Sequence, residues 1–359
     1  MKDYTNSKVT LLLPVRSADR QTHRCIRSVL SGSLVPKIIA IVLSPDRNTA
    51  EELRKEYPDV TVFDLGMNPG RAHALNTGFH ITKTPYAMTL SPGLVVGKHC
   101  VERLCGKLDE DGSLFSVQAA ILTAGDPSRI RGTGWNFRLD GEPYLLGEGA
   151  GARSRRRDEP IAAAMSDAAV YRMEALEITG LFDERFYGKL EDADLGYRAL
   201  LSGYRNLYVA GAVCREQVPE RETLFWRKLE TGNRIYLRYK NTPGWQKTLG
   251  RPFELMQEFV LEKVLSDAGS GEMSDAKERG RLLCFQAEME LMERTELSMS
   301  VTKQTLPEEF VMKVSDERVN KVYPLYLGER TADGIEETAA AVKAQAGMVL
   351  AGVRDRLRL

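Results

Sequence analysis

A chain of 359 residues can bury a sizeable core, either as one large domain with an extension or as two domains. Its 50 basic and 50 acidic residues cancel, so no overall field draws nucleic acid or an anionic membrane, and phosphate binding has to be local. The five cysteines, Cys25, Cys100, Cys105, Cys214 and Cys284, lack close paired spacing. That argues against a disulfide framework or a zinc site and for reduced core residues.

The first residues, MKDYTNSKVTLLLPV, hold too short an apolar run for a secretory signal, and nothing later approaches the roughly 20 apolar residues that cross a bilayer. A soluble cytoplasmic protein is expected. Val9 to Val15 reads as a buried strand, and Ser17 as the cap of a helix carrying Cys25, Ile26, Val29 and Leu30. Lys37 to Leu43 is the second strand, with a helix over Thr49 to Tyr57, and Val60 to Leu65 is the third. Asn68-Pro69-Gly70-Arg71 then starts a helix through Ala72, Leu75 and Phe79, before a fourth strand at Tyr86 to Leu90. Strands alternating with helices at this pace predict βαβ units and a parallel sheet covered on both faces. The ligand site of such a sheet lies at the carboxyl ends of its strands, near a topological switch point.

A helix over His99 to Leu108 and a strand over Leu114 to Leu122 come next, then a hairpin from Gly132 to Glu142 turning at Asp140-Gly141. Trp135 in that hairpin either packs or stacks on a sugar ring. His23, His73, His80 and His99 show no metal-ligand spacing. The run Arg153-Ser154-Arg155-Arg156-Arg157 beside Gly147, Gly149 and Gly151 reads as a solvated loop.

The stretch from Ala168 to Tyr204 organises the chain. Gly180 to Phe186 is a turn leading into an ordered loop, followed by the aromatic Phe186-Tyr187-Gly188, and Glu191-Asp192-Ala193-Asp194-Leu195 opens a helix. Three carboxylates in a first helical turn are favoured on structural grounds alone, because they face unsatisfied amides and the positive end of the macrodipole. The functional alternative is a pair of acids placed to take a proton from a sugar hydroxyl, with a neighbouring charge raising and the dipole lowering the pKa. Further on, Arg221 to Lys228 leads into Gly232 to Asn241 as an amphipathic basic and aromatic helix, in which Arg234 either touches phosphate or pairs with an acid. Helical periodicity returns over 254–265, 274–293 and 338–359, with 267–271 as a linker. The last of these helices packs back on the domain or makes a peripheral membrane contact.

The pattern from Gly180 through Glu191, Asp192, Asp194, Leu195, Arg198, Gly203, Tyr204 and Arg205 resembles family 2 glycosyltransferases of the rhamnosyltransferase-like kind. So does the opening, best at Asn68-x-Gly70-Arg71-x-x-Ala74-Leu75-Asn76-x-Gly78. The resemblance covers about residues 8 to 241. It implies an α/β chain of GT-A (Rossmann-like) fold, a mostly parallel sheet with helices on both faces, plus a helical C-terminal extension. The domain would span 1–245, with a nucleotide-sugar half 1–96 and an acceptor half 97–245, and the extension 246–359. The function implied is inverting transfer of a hexosyl or rhamnosyl group from a nucleotide-diphosphate sugar to a glycan or lipid-linked glycan acceptor. Asp192 would be the general base, with Glu191 shaping its pKa or binding acceptor hydroxyls. The implied donor residues are Pro14, Asp46, Asn68, Gly70, Arg71, Asn76, Ser91 and Gly93, and the acceptor residues Trp135, Phe186, Tyr187 and Gly188. The relatives' setting is cell-envelope polysaccharide synthesis, at most with a peripheral contact at the inner membrane face and no nucleic acid.

Three departures from the family fall on the donor side. The second strand ends Leu43-Ser44-Pro45, where relatives have a base-contacting aspartate, and Asp46 serves only if the loop bends differently. After the fourth strand the relatives' acidic D-x-D metal cluster is replaced by Leu90-Ser91-Pro92-Gly93. A divalent metal has no carboxylate there and is in doubt, and the sequence establishes no cofactor. Relatives often place a histidine where this chain reads Val213-Cys214-Arg215-Glu216. Arginines are the available replacements for the cation: Arg71, Arg215, Arg234, or one of the 153–157 run closing over the diphosphate. The alternative of another class is a catalytically inactive descendant that binds a glycan or a partner enzyme.

Overall fold

The computed structural model describes residues 7–137, 141–218 and 224–241. The expected helices and linker beyond residue 246, Cys284 and Asp140 of the hairpin turn lie outside the described residues. The chain divides into two units, 1–136 with 145–221, and 137–144 with 222–359. The first contains β1 (Val9–Val15), α1 (Arg20–Leu30), β2 (Lys37–Val42), α2 (Arg47–Glu56), β3 (Thr61–Asp64), α3 (Arg71–Ile81), β4 (Tyr86–Leu90) and β5 (Leu94–Val96). There follow α4 (Cys100–Glu110), β6 (Leu114–Leu122), β7 (Ile130–Gly132), and the short strands β8 (Trp135–Phe137) and β9 (Pro143–Leu145), which pair with each other. Then come β10 (Glu159–Ile161), β11 (Ala168–Arg172), α5 (Met173–Thr179), α6 (Glu191–Leu201) and β12 (Arg205–Glu216). The last described element, α7 (Leu224–Asn241), belongs to the second unit.

The main sheet has the order β10-β12-β6-β11-β4-β1-β2-β3, with β5 on β12 and β7 on β6. The pairs β1–β2, β1–β4, β2–β3 and β6–β12 are parallel, while β11 runs against both β4 and β6. Because β2 and β3 lie on one side of β1 and β4 on the other, the chain switches direction between β1 and β4, where α/β sheets open a crevice. The amino end of the reversed β11 reaches the same edge as the carboxyl end of β4, with Ala168 opposite Leu90.

Strand alternation divides the core into two layers. Leu11, Leu13, Ile38, Ala40 and Val42 belong to one layer together with Ile26 and Val29 of α1, Leu53 of α2 and Leu104 of α4, the last of which lies over β6, β11 and β12. On the other face, Leu12, Ile39 and Ile41 belong to a second layer that α3 closes with Leu75 and Phe79 over β1 and β2, and that α5 and α6 continue with Leu176, Leu195 and Ala199 over β11, β6 and β12. The helix starts differ in one detail from expectation: α1 is capped by Asp19, whose carboxylate accepts the Thr22 N–H at 2.9 Å. Ser17 supports it, donating to the same carboxylate at 3.1 Å. The helix therefore begins two residues later than a Ser17 cap would start it, with the acid rather than the hydroxyl satisfying the exposed amide.

The acidic helix is fixed by close packing and by one arginine. Arg198 donates to Asp194 at 2.9 Å and to the carbonyls of Thr179 and Leu181, tying α6 to the end of α5. Asp194, fully buried, is therefore a structural acid. A Cβ at Gly196 would lie 2.1 Å from the Ala163 Cβ and 2.5 Å from its Cα, so α6 rests directly on the backbone of 162–163. That segment is held in turn by Asn206, which donates to Ala162 O at 2.7 Å, and by Gln118, which accepts the Met165 N–H at 2.6 Å.

Alanine is favoured over glycine inside a helix by about 1 kcal/mol, whereas overpacking a filled site costs about 1–3 kcal/mol or more. Against unyielding backbone the clash outweighs the propensity. Gly196→Ala is expected to lower the unfolding free energy in urea by about 1–3 kcal/mol, and unchanged stability would mean that α6 does not rest on 162–163.

Candidate active site

Glu191 and Asp192 occupy the first turn of α6, 2% and 7% exposed. Asp192 accepts the Ser166 N–H through Oδ2 and the Ala193 N–H through Oδ1, both at 2.8 Å. Glu191 accepts the Lys189 N–H through Oε2 at 2.6 Å and the Ser166 hydroxyl through Oε1 at 3.3 Å. The chain enters the helix through Tyr187 and Leu190, both non-glycine residues at positive φ, 63° and 70°. Each such position stores on the order of 1–3 kcal/mol of strain.

Burial, then the negative charge of Asp192, push the Glu191 carboxyl up to about 7 against the opposing pull of Arg71. Burial also raises Asp192, with the charge of Asp167 adding to it, while the N–H groups of Ser166, Trp135 and Ala193 favour its ionised form. The Trp135 indole N–H is buried and meets hydrogen-bond geometry with no acceptor in the described residues, although it is close enough to Asp192 to favour the carboxylate.

Arg71, the first residue of α3, stands beside these acids. It donates to the Ser166 carbonyl at 2.7 Å and hydroxyl at 3.3 Å, and lies 3.7 Å from Glu191 and 3.6 Å from Asp167. The start of α3 is locked onto the aromatic loop: a Cβ at Gly70 would fall 2.6 Å from both the ring and the carbonyl of Tyr187. The Ala72 N–H donates to that carbonyl at 3.2 Å. Gly188 packs in the same way on Arg71, at 3.0 Å from its Cβ. Thus residues expected on the two halves, Gly70 and Arg71 with Tyr187 and Gly188, are in contact. Asn68 closes the turn, accepting the Gly70 N–H at 3.2 Å, and its carbonyl accepts the Tyr187 hydroxyl.

Several expected site residues have other positions. Asn76 is buried, and its amide donates to the Phe182 carbonyl and Glu184 while accepting the Phe182 N–H at 3.0 Å. It clamps the 182–184 loop rather than presenting a group to a ligand. Phe186 is fully buried and is core, not an acceptor contact. Pro14 is buried within β1, opposite Ile41 of β2. Asp46 caps α2, accepting the Asn48 N–H at 3.0 Å. A hollow of about 410 Å³ lies beside that helix and β3, lined by Arg47, Glu51, Arg54, Asp64, Leu65 and Gly66, and does not include the acid pair. Strand alternation turns Arg215 to solvent, and its neighbour Glu216 reaches the site edge instead. Arg234 pairs with Glu142 and Glu230 within the second unit, the acid-pairing alternative. Arg155 pairs with Glu159 and lies over the Tyr208 ring.

The turn after β4 is held by Ser91 N–H donating to the Asp167 carbonyl at 2.8 Å and by Gln217, which donates to Gly93 O at 2.9 Å and Pro92 O at 3.0 Å. Beside it stands a charged group that sequence reading missed. Arg131 pairs with Asp167 at 2.8 Å and Glu216 at 3.0 Å, and Asp167 also faces Arg71. Burial alone would raise the Asp167 carboxyl, but the charges of Arg131, Arg71 and Lys189 outweigh it and hold it at about 2. The available signal was weak: Asp167, Arg131 and Glu216 each sit at or beside a strand end, and only the direction of β11 brings those ends to one edge. Among the described residues no group of three or more His, Cys, Asp and Glu converges as a metal ion would need, and no helix is long and apolar enough to cross a membrane.

Comparison with known proteins bears on the fold that carries this site. Residues 11–179 match the profile described as Glycosyl transferase family 2, and no curated protein matches. Among solved structures, GalNAc-T7 with UDP, GalNAc and Mn2+ aligns with a TM-score of 0.51 at 14% identity, covering 72% of this chain and 57% of that one. This chain therefore spans little more than half of that protein's length. The mannosyltransferase PcManGT of Pyrobaculum calidifontis, in complex with GDP-Man and Mn2+, aligns over 90% of each chain at 15% identity, with a TM-score of 0.49. The family 2 profile thus matches a little under half of the chain, and the sheet to which that segment contributes has the GT-A fold.

Proposed function

We propose that the protein is an inverting glycosyltransferase that moves a hexosyl or rhamnosyl group from a nucleotide-diphosphate sugar to a glycan or lipid-linked glycan hydroxyl. The donor half would be 1–96 and the acceptor half 97–245, with 246–359 as an extension. The observation that carries the reading is the buried acid pair on α6, at the crevice edge and beside Arg71. The family match over 11–179 supports the reaction class, and the UDP held by GalNAc-T7 supports a nucleotide sugar as donor.

Asp192 is the proposed base. Each of its oxygens accepts one backbone N–H and keeps a second lone pair for an acceptor hydroxyl. Taking that proton while the hydroxyl oxygen attacks the anomeric carbon from the side opposite the leaving diphosphate gives inversion in one step. Glu191 and Asp192 share protons, so the acid limb of the pH–rate profile belongs to the pair. Synthesis of an envelope polysaccharide on the cytoplasmic side is the proposed setting, by analogy with relatives. A second reading, an inactive protein binding a glycan or a partner enzyme, is favoured by the Ser91-Pro92-Gly93 turn.

Asp192→Asn keeps the shape and removes the base. Turnover should fall by roughly a hundred- to ten-thousand-fold with nucleotide affinity unchanged, and retained turnover would remove Asp192 from the mechanism. Glu191 is tested by stability. Its carboxyl is raised from an ordinary 4.5 to about 7, so between these values the folded protein holds more protons than the unfolded chain. The Glu191 contribution therefore favours the fold below that window, and stability falls as pH rises through it. Urea denaturation from about pH 5 to about pH 8 should show this loss in the wild type and a smaller one in Glu191→Gln. Equal slopes would contradict burial of Glu191 beside Asp192.

A further inference from the structure

The turn after β4 is where the family resemblance puts carboxylates for a divalent metal, and the residues present do not fit one. Ser91, Pro92 and Gly93 offer no carboxylate. The acid beside the turn, Asp167, comes from the start of β11 and is already paired with Arg131 at 2.8 Å and Arg71 at 3.6 Å. A cation there would have to displace two guanidinium groups to gain one carboxylate.

Resting on the nucleotide-sugar reading above, we infer that Arg71 and Arg131 take the place of the metal and bind the donor's diphosphate, with Asp167 as the internal counter-ion that the diphosphate displaces. Three observations carry this. The two arginines flank one carboxylate at the switch-point edge, about one-fifth exposed each, 19% and 22%, where charge interactions are less screened than at the open surface. Both are anchored from other directions, Arg71 by the Ser166 carbonyl and Arg131 by Glu216, so losing Asp167 leaves their positions defined. Arg71 also opens an 11-residue helix, α3, whose amino end favours an anion. Guanidinium forks match phosphate oxygens in pairs and stabilise the charge that develops as the diphosphate departs. No proton or electron is moved in the exchange: one anion replaces another.

The test is calorimetric titration of the full chain with inorganic pyrophosphate and with UDP, GDP and dTDP, each in chelator and each in manganese. Wild type should bind pyrophosphate and one nucleotide equally well in both. Arg131→Met should weaken both ligands at least tenfold, whereas Asp167→Asn, which removes the competing carboxylate, should tighten them several-fold. Circular dichroism and melting of the variants check that they are folded, and Asp167→Asn keeps the test decisive if Arg131→Met is not. Binding that needs manganese and is lost in Asp167→Asn would overturn the inference by making Asp167 a metal ligand, and would leave the transferase reading standing. Undiminished binding by folded Arg131→Met would also overturn it. Failure of the wild type to bind any of these ligands, with or without manganese, would overturn the transferase reading along with it.

Discussion

Two carboxylates buried side by side on the first turn of α6 are the constraint on which the rest of the site depends. Neighbouring negative charges out of water are unfavourable, and everything around them serves to keep them there. The helix start supplies amides and a favourable dipole, Ser166 donates from its backbone and its hydroxyl, and Arg71 brings a positive charge within 3.7 Å of Glu191. The helix in turn rests on Ala162 and Ala163, an approach that the lack of a side chain at Gly196 allows. A larger residue at any of these contacts would move the acids away from the strand-end edge.

The same arrangement joins the two halves of the crevice. The Gly70–Arg71 helix start and the Tyr187–Gly188 loop touch without room for another methyl. The position of Arg71 at the start of α3 is thereby coupled to the position of the acids at the start of α6. Asn76, which the family resemblance places at the donor, holds Phe182 of the loop that leads to this contact. Its buried amide meets three partners, and such a polar group is more use as a clamp than as a recognition element.

The sheet was largely legible in the sequence, because compact apolar runs bounded by turn residues reach their full expression in strands buried on both faces, as in β1, β2, β4 and β6. The acid pair was legible for a similar reason: three carboxylates before an apolar helix are a strong local pattern. Arg131, Asp167 and Glu216 were not legible. Their meeting depends on β11 running opposite to its neighbours, a long-range pairing that no local pattern encodes. The inward turn of Phe186 and the outward turn of Arg215 were not legible, because a loop aromatic and a strand-end arginine look the same in sequence whichever way they point. Only the register of β12 and the packing of the loop decide it.

The proposed transfer requires a single displacement at the anomeric carbon with Asp192 as base. The most direct measurement is the anomeric configuration of the transferred sugar, read by proton NMR of the product formed from the nucleotide sugar that the protein accepts. An inverted linkage is the predicted result, whereas a product that retains the donor's configuration would contradict direct attack by an acceptor hydroxyl activated at Asp192.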